Sequence, residues 1–348
     1  MERKHVKKMV NSPKQKNSKV ALLTGATSTL GHEIAHLLIK EGYLVRALIR
    51  DDPNNINIIK EIPAGVIPYT VDITIPDDKH KKELINACVG VDCVFHVAAA
   101  VYRENNSFDT IMDVNVVGTE NLLTAIVEAN PQKRDIHFIF ASSMGVYGHK
   151  FSDKILTEES PVNPDTPYGK SKYIAEQVIK SFTDVHKNIH YTIFRMGTLY
   201  GKGYEKPSFY KVFMMIKSGK MRYVGSESNH LTLLNVMDAA NAFVEAAKTE
   251  NSHNRIYIIT DGIAHTQKEL FTLAAKYMNV GAPNSTISSI IAKVFGGSKI
   301  NKDEMDFLMS NRVVSIKRIT SELGFVPKAK IEVEGIDMIK SCINELNI

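Results

Sequence analysis

The stretch Lys19-Val20-Ala21-Leu22-Leu23-Thr24-Gly25-Ala26-Thr27-Ser28-Thr29-Leu30-Gly31 decides the fold. It reads as an apolar run, Lys19 to Thr24, that ends in a glycine turn, the pattern of a buried strand; a helical pattern over Leu30 to Lys40 follows. A second run, Tyr43 to Ile49, closes a βαβ unit. A turn that leaves a strand and opens a helix aims backbone amides and the positive end of the helix dipole at one spot, where a pyrophosphate binds. Thr24, Gly25, Thr27, Ser28, Thr29, Leu30 and Gly31 are therefore the candidate dinucleotide contacts.

The alternation continues along the chain. Strands are expected near Val66 to Val71, Val91 to Val97, Ile136 to Ala141 and His190 to Phe194, and helices near Lys79 to Ala87, Asp109 to Ala129 and Pro167 to Thr183. Such a chain builds an α/β Rossmann fold, a doubly wound parallel sheet with helices on both faces and ligands at the carboxyl ends of its strands. The dinucleotide-binding domain is expected over residues 19–199, with segments returning to it near 232–262. Residues 200–348 are less regular, with loops at Gly201, Gly203 and Gly225 and a late helix near Ser285 to Val294. They are expected to form mainly a smaller C-terminal substrate-binding lobe. A chain of 348 residues that is 44% hydrophobic can bury a core of that size.

The charge is uneven. Residues 1 to 19 carry seven Lys or Arg against one Glu, so of the overall +5 the body keeps about −1. Residues 1–18 read as a basic, solvated, disordered lead-in, with an anionic surface or a targeting role as the alternatives. No apolar segment of signal-peptide type follows, and no run approaches the ~18 apolar residues of a membrane span. A cytoplasmic protein with no nucleic-acid partner is the expectation. Cys88, Cys93 and Cys342 have no metal-type spacing with the histidines and read as reduced packing residues. No metal is expected.

Tyr168-Gly169-Lys170-Ser171-Lys172 places Tyr168 and Lys172 four apart, on one helical face, 25 residues after Ser143. Thr166 is the candidate N-cap and Pro167 the first helical residue, after the loop Ser160 to Asp165. Free tyrosine titrates near ~10, so proton transfer at neutral pH needs a neighbouring positive charge. An ammonium roughly 4 Å away at an effective dielectric of ~20 supplies on the order of 4 kcal/mol. Lys172 is expected to be that charge. The set implies carbonyl/alcohol redox chemistry on a nicotinamide cofactor.

The end of the second strand bears on which nicotinamide. An acid there holds the ribose 2′-hydroxyl of NAD, whereas an arginine accommodates the 2′-phosphate of NADP. Ile49 stands where the acid would be and Arg50 follows, which favours NADP(H) and keeps NAD(H) as the alternative. Asp72, with Ile73 after it, is placed to meet the adenine. His96 follows a buried strand and reads as a packing residue beside the cleft.

With these motifs in hand the chain resembles the extended short-chain dehydrogenase/reductase family, the epimerase/dehydratase group, from about Lys19 to Asn344. The resemblance rests on the glycine turn, His96-Val97-Ala98-Ala99, Asn115-Val116-Val117-Gly118-Thr119, Ser142-Ser143-Met144-Gly145-Val146-Tyr147-Gly148, Tyr168 to Lys172, and Arg195-Met196-Gly197-Thr198-Leu199-Tyr200-Gly201. It implies Tyr168 as acid/base, Lys172 as ribose ligand and modulator of the tyrosine, and Ser143 as hydrogen-bond donor to the reacting oxygen. It implies Ala98 and Ala99 along the cofactor cleft, and a homodimer through the helices Asp109 to Ala129 and Pro167 to Thr183. Asn115 either braces the scaffold or touches the proton path. Three positions depart from the family pattern: Ser28 for the middle glycine, Met196 for a proline, and Asn235 for an aromatic or histidine in Asn235-Val236-Met237-Asp238.

The substrate lobe bears on the reaction. Nucleotide-sugar epimerases and dehydratases need fixed cations for a diphosphate. Leu231 occupies the place where that subgroup has an arginine, and residues 303 to 314 lack the late Arg-x-Gly-Asp pattern, with Arg312 and Arg222 left as compensating cations. The segments Val45 to Asp51, Val94 to Ala100 and Ser226 to Asp238 look more like the dihydroflavonol reductase and 3β-hydroxysteroid dehydrogenase branch. The expectation is an NADP(H)-dependent oxidoreductase acting on a carbonyl or secondary alcohol of a largely uncharged small molecule. An NAD-dependent nucleotide-sugar epimerase or dehydratase is the alternative. A non-catalytic dinucleotide sensor would be expected to lose Ser143, Tyr168 or Lys172, and all three are present.

Overall fold

The structure is a computed structural model that describes residues 18–50, 62–75, 77–101, 107–149, 155–203, 207–288 and 311–345. The basic tail, expected over residues 1–18, lies outside the described residues except for Ser18. The first half runs β1 (Val20–Thr24), α1 (Thr29–Lys40), β2 (Leu44–Ile49), β3 (Ile67–Thr70), α2 (Asp78–Cys88), β4 (Cys93–His96), α3 (Phe108–Met112), a π segment (Asp113–Val117), α4 (Gly118–Glu128) and β5 (Ile136–Ser143). It continues through a 3-10 turn (Met144–Tyr147), α5 (Pro167–Val185) and β6 (Ile189–Met196). The second half adds β7 (Thr198–Tyr200), α6 (Pro207–Lys217), β8 (Tyr223–Val224), β9 (His230–Leu231), β10 (Leu233–Asn235), α7 (Val236–Ala246) and β11 (Arg255–Ile259). Then come β12 (His265–Thr266), α8 (Gln267–Tyr277), β13 (Thr286–Ile287), α9 (Lys317–Leu323) and α10 (Ile331–Glu345).

Seven strands form one sheet in the order β11-β6-β5-β4-β1-β2-β3, and every pairing is parallel. Because a parallel sheet is covered on both faces, its central strands are apolar on both sides, and two separate cores result. On one face Ala21, Leu23, Val45, Ala47 and Phe95 meet Ile34 and Leu38 of α1 and Phe243 of α7. On the other Leu22, Val94, Phe138 and Phe140 meet Leu84, Leu122, Ile126 and Ile179. The chain order doubles back at β1 and β4, so the carboxyl ends Thr24, His96, Ser143 and Met196 surround one crevice. A third core, including Tyr200, Phe213, Met221, Phe271, Met338 and Cys342, gathers residues from beyond β6. By contrast β10 and α7 pack back onto the large sheet, and β11 joins it beside β6.

Two expected elements differ. The helix expected over Asp109 to Ala129 is interrupted by the π segment, in which Asn115 hydrogen-bonds the backbone of Ala100. The helix expected near Ser285 to Val294 begins instead as β13, paired in parallel with β8; its β-branched Thr286 and Ile287 suit an extended edge, and residues 289–310 lie outside the described set. All three cysteines are buried and none forms a disulfide with another described residue, and burial pushes the Cys88 thiol up to about 12. Among the described residues no helix is long and apolar enough to cross a membrane.

Candidate active site

At the start of α1 the glycine turn forms a tight cradle. Gly25 has φ +73, and a Cβ on Gly31 would lie 2.1 Å from the Gly25 carbonyl oxygen, so helix and turn touch through backbone alone. Ser28, in the middle-glycine position, is the N-cap: its Oγ accepts from Gly31 N at 3.1 Å and donates to Gly25 O at 2.7 Å. The substitution thus strengthens the turn and adds no side chain seeking a phosphate. The amides of Thr29 and Leu30 precede Gly31 at the open end of α1, whose first turn contains no acid. That is the donor set and field an anion needs. A cleft of about 550 Å³ opens there, with Thr27, Ser28, Thr29, Lys202 and Gly203 at the cradle and the carboxylates of Glu33, Glu334 and Asp337 on its walls. The cradle fits a dinucleotide pyrophosphate.

The structure separates the other candidate contacts by what they do. Leu30 is buried in the core. Thr24 is buried as well; its Oγ1 accepts from Val97 N (3.1 Å) and Ala98 N (3.0 Å) and faces His96 Nδ1 at 2.8 Å, fixing the Ala98-Ala99 strand exit. Thr119 Oγ1 donates to Asn115 O, so it accepts from His96 Nε2, and Thr24 then donates to Nδ1. Full burial pulls His96 down to about 3. It is a neutral brace with both nitrogens engaged. Asp72 accepts from the backbone and hydroxyl of Thr74, and Ile73 packs against Gly118. Ile49 points into the core at 3% exposure, whereas Arg50 is exposed just beyond β2.

Ser143 ends β5, and its Oγ accepts from Gly145 N at 3.0 Å, which leaves the hydroxyl proton to be donated elsewhere. Thr166 caps α5 by accepting from Gly169 N at 3.0 Å, and Pro167 opens the helix, as the residue pattern predicts. Tyr168 is half-buried in that first turn. Gly169 presses the turn onto the 3-10 segment, since a Cβ there would stand 2.4 Å from Gly145 O. Gly169→Ala should therefore force α5 away from Ser143 and cost about 1–3 kcal/mol, the usual scale of overpacking. A melting curve and a turnover assay check this, and an unaltered melting temperature would count against the close approach.

Lys172 is 1% exposed, with Nζ 4.5 Å from the Phe140 ring centroid and 5.9 Å from that of Tyr168. Burial pulls its pKa down to about 7, against the pull of Glu176 toward the charged form. Burial thus opposes the full charge that residue spacing alone suggested for Lys172. Asn115 Nδ2 donates to Ala100 O and to Ser171 Oγ, each at 2.9 Å, so the structure favours the bracing role. Sequence reasoning missed Glu176, which is fully buried and paired with Arg195 at 2.7 Å. Its signal was a carboxylate four residues beyond Lys172, on the face that turns toward the sheet. Among the described residues no group of three or more His, Cys, Asp or Glu is placed to hold a metal ion.

Residues 21–260 match the NAD dependent epimerase/dehydratase family. A Methanocaldococcus jannaschii protein provisionally named UDP-glucose 4-epimerase is 31% identical over 264 residues, 72% of this chain and 80% of that protein. The sterol-4-alpha-carboxylate 3-dehydrogenase (decarboxylating) of Dictyostelium discoideum is 26% identical over 257 residues, 73% and 75% of the two chains. Among solved structures, a UDP-glucuronic acid 4-epimerase from Bacillus cereus in complex with NAD superposes with a TM-score of 0.72 at 19% identity, covering 94% of this chain and 100% of that one. That last likeness concerns the fold alone.

Proposed function

The chain belongs to the NAD-dependent epimerase/dehydratase family, and from that premise we propose that it is an NADP(H)-dependent oxidoreductase that interconverts a carbonyl and a secondary alcohol on a largely uncharged small molecule. The observation that carries the reading is the end of β2. Ile49 is turned into the core, so no carboxylate stands there for a ribose 2′-hydroxyl, and the exposed Arg50 follows at the place where a 2′-phosphate is accommodated. The substrate side agrees. Leu231 is buried, Arg222 donates to Gly219 O and Met221 O of its own loop, and the buried Arg312 donates to Gly148 O, so these positions are engaged in structure. The Dictyostelium relative, by its name a dehydrogenase acting at a sterol 3-position, supports redox chemistry on an apolar skeleton.

The cofactor would be held by the Gly25 to Gly31 turn, by Arg50, and along Ala98 and Ala99, with Asp72 toward the adenine. When bound, its nicotinamide gives or accepts the hydride. Ser143 donates a hydrogen bond, keeping its proton, to the substrate oxygen and holds it as negative charge develops there, the preorganised donation that counts most in the transition state. Tyr168 passes a proton to that oxygen in reduction and removes it in oxidation. Lys172, in its charged form, lowers the energy of the tyrosinate.

Replacing Arg50 with Ala is expected to weaken NADPH binding about tenfold or more, the loss of one charge-assisted contact, while NADH affinity stays within twofold. Fluorescence titration with both nucleotides tests this; an equal loss for the two would show that Arg50 does not read the phosphate. The second reading, an NAD-retaining nucleotide-sugar epimerase, is favoured by the likeness to the M. jannaschii protein.

A further inference from the structure

We propose that Glu176 is a positioning residue of this site: its buried carboxylate, shared between Ser142 and Arg195, fixes a negative charge one helical turn beyond Lys172 and ties the strand end that bears Ser143 to the helix that bears Tyr168. The inference rests on the roles given above to those three residues. Tyr168, Lys172 and Glu176 are spaced four apart along α5 and share one face. Ser142 Oγ donates to Glu176 Oε1 at 2.5 Å, Arg195 Nε donates to the same oxygen at 3.1 Å, and Arg195 Nη2 donates to Oε2 at 2.7 Å. Arg195 then reaches the loop after Ser143: Nη1 donates to Tyr147 Oη at 2.8 Å, and Tyr147 donates to Thr157 O at 3.0 Å. One carboxylate therefore joins β5, β6, the 3-10 turn and α5.

A buried ion pair is a poor stabiliser in itself, because desolvation cancels much of its attraction, and apolar residues of similar volume often do as well. Its location gives it a use. Beside Lys172 stand Tyr168 and Glu176 on α5 and His96 on β4; Arg195 on β6 is ion-paired with Glu176, and Asp109, Asp113 and Glu120, on the α3, π and α4 elements packed against α5, are exposed. His96 is neutral, and β5 presents the Phe140 ring to the ammonium. Burial strips charge from Lys172, and Glu176 is the group that favours its ammonium. Arg195 and Ser142 fix the carboxylate so that this field acts from a constant place.

The test is a titration of Lys172 in the full chain labelled with ¹³Cε-lysine, its resonance assigned by disappearance in Lys172→Met. In a Glu176→Gln/Arg195→Gln variant, which removes both charges together, the ammonium-to-amine ratio of Lys172 at pH 7 is expected to fall about tenfold. An unchanged ratio in a variant with a native amide spectrum overturns the proposal. Should the variant not fold, the unmodified protein labelled in glutamate ¹³Cδ decides. The Glu176 carboxylate signal is expected to inflect at the pH where Lys172 titrates, and a flat signal overturns the proposal. Neither readout requires a substrate. Failure of the oxidoreductase reading would appear separately, as absent nicotinamide turnover with the coupling intact.

Discussion

Tyr168→Phe is expected to lower turnover by about 10²–10⁴-fold, the range for loss of a general acid/base, with NADPH affinity within twofold of the native value. The substitution removes one oxygen and keeps the ring. The helix start is held by other groups, Thr166 accepting from Gly169 N and Pro167 at the first position, so α5 should stay in place. Ser143 would still orient the substrate oxygen but could not complete the proton transfer, because its own proton is a hydrogen-bond donor of ordinary alcohol acidity. His96 cannot substitute, since both its nitrogens are engaged and burial keeps it neutral. NADPH absorbance with any carbonyl compound the native enzyme reduces provides the assay, and turnover within threefold of native would remove Tyr168 from the proton path.

Lys172→Met is expected to abolish measurable turnover and at the same time to stabilise the fold at pH 7, by about 1–3 kcal/mol, as when a buried charge gives way to an apolar side chain of similar volume. The two effects have one cause. The folded state holds Lys172 near 7, well below its unfolded value of roughly 10.4. Between those values the unfolded chain binds more protons, so this group's contribution to stability rises with pH, and its full penalty is present below about 7. The gain on mutation should be largest at or below pH 7 and should shrink toward pH 10. Thermal melts at pH 6, 8 and 10 measure it. A variant less stable than native at pH 7, or a gain that grows with pH, would contradict the burial argument.

These effects separate what residue patterns carry from what they cannot. Six of the seven strands of the large sheet were legible within two residues at each end, those at its centre because burial on both faces makes a nearly continuous apolar run; β11 carried no strand expectation of its own. The cap Thr166 and the opening Pro167 were legible because helix starts depend on local chemistry. The π segment was not: it goes with bonds between Asn115 and Ala100, fifteen residues back along the chain. Nor was β13, whose partner Tyr223–Val224 lies some sixty residues earlier and supplies the edge that Thr286 and Ile287 extend along.

At the site, spacing put Tyr168 and Lys172 on one face but said nothing of how dry that face is. Dryness works against the charge on Lys172 and makes Glu176 matter. Ser28 is the reverse case. It departs from the family's middle glycine in a phosphate-binding turn, and its hydroxyl caps the helix. Thr24, grouped with the cofactor contacts by its place in the motif, ties β1 to β4.

The most direct measurement is the nucleotide itself. Nucleotide released by denaturing the purified protein is identified, and the emptied protein is then titrated with NADPH and NADH. An oxidoreductase that exchanges its cofactor at each turnover, with Arg50 reading the 2′-phosphate, predicts exchangeable NADPH bound at least about tenfold more tightly than NADH. NAD⁺ carried through purification, with no preference for NADPH, would contradict that account and assign the site to an epimerase or dehydratase.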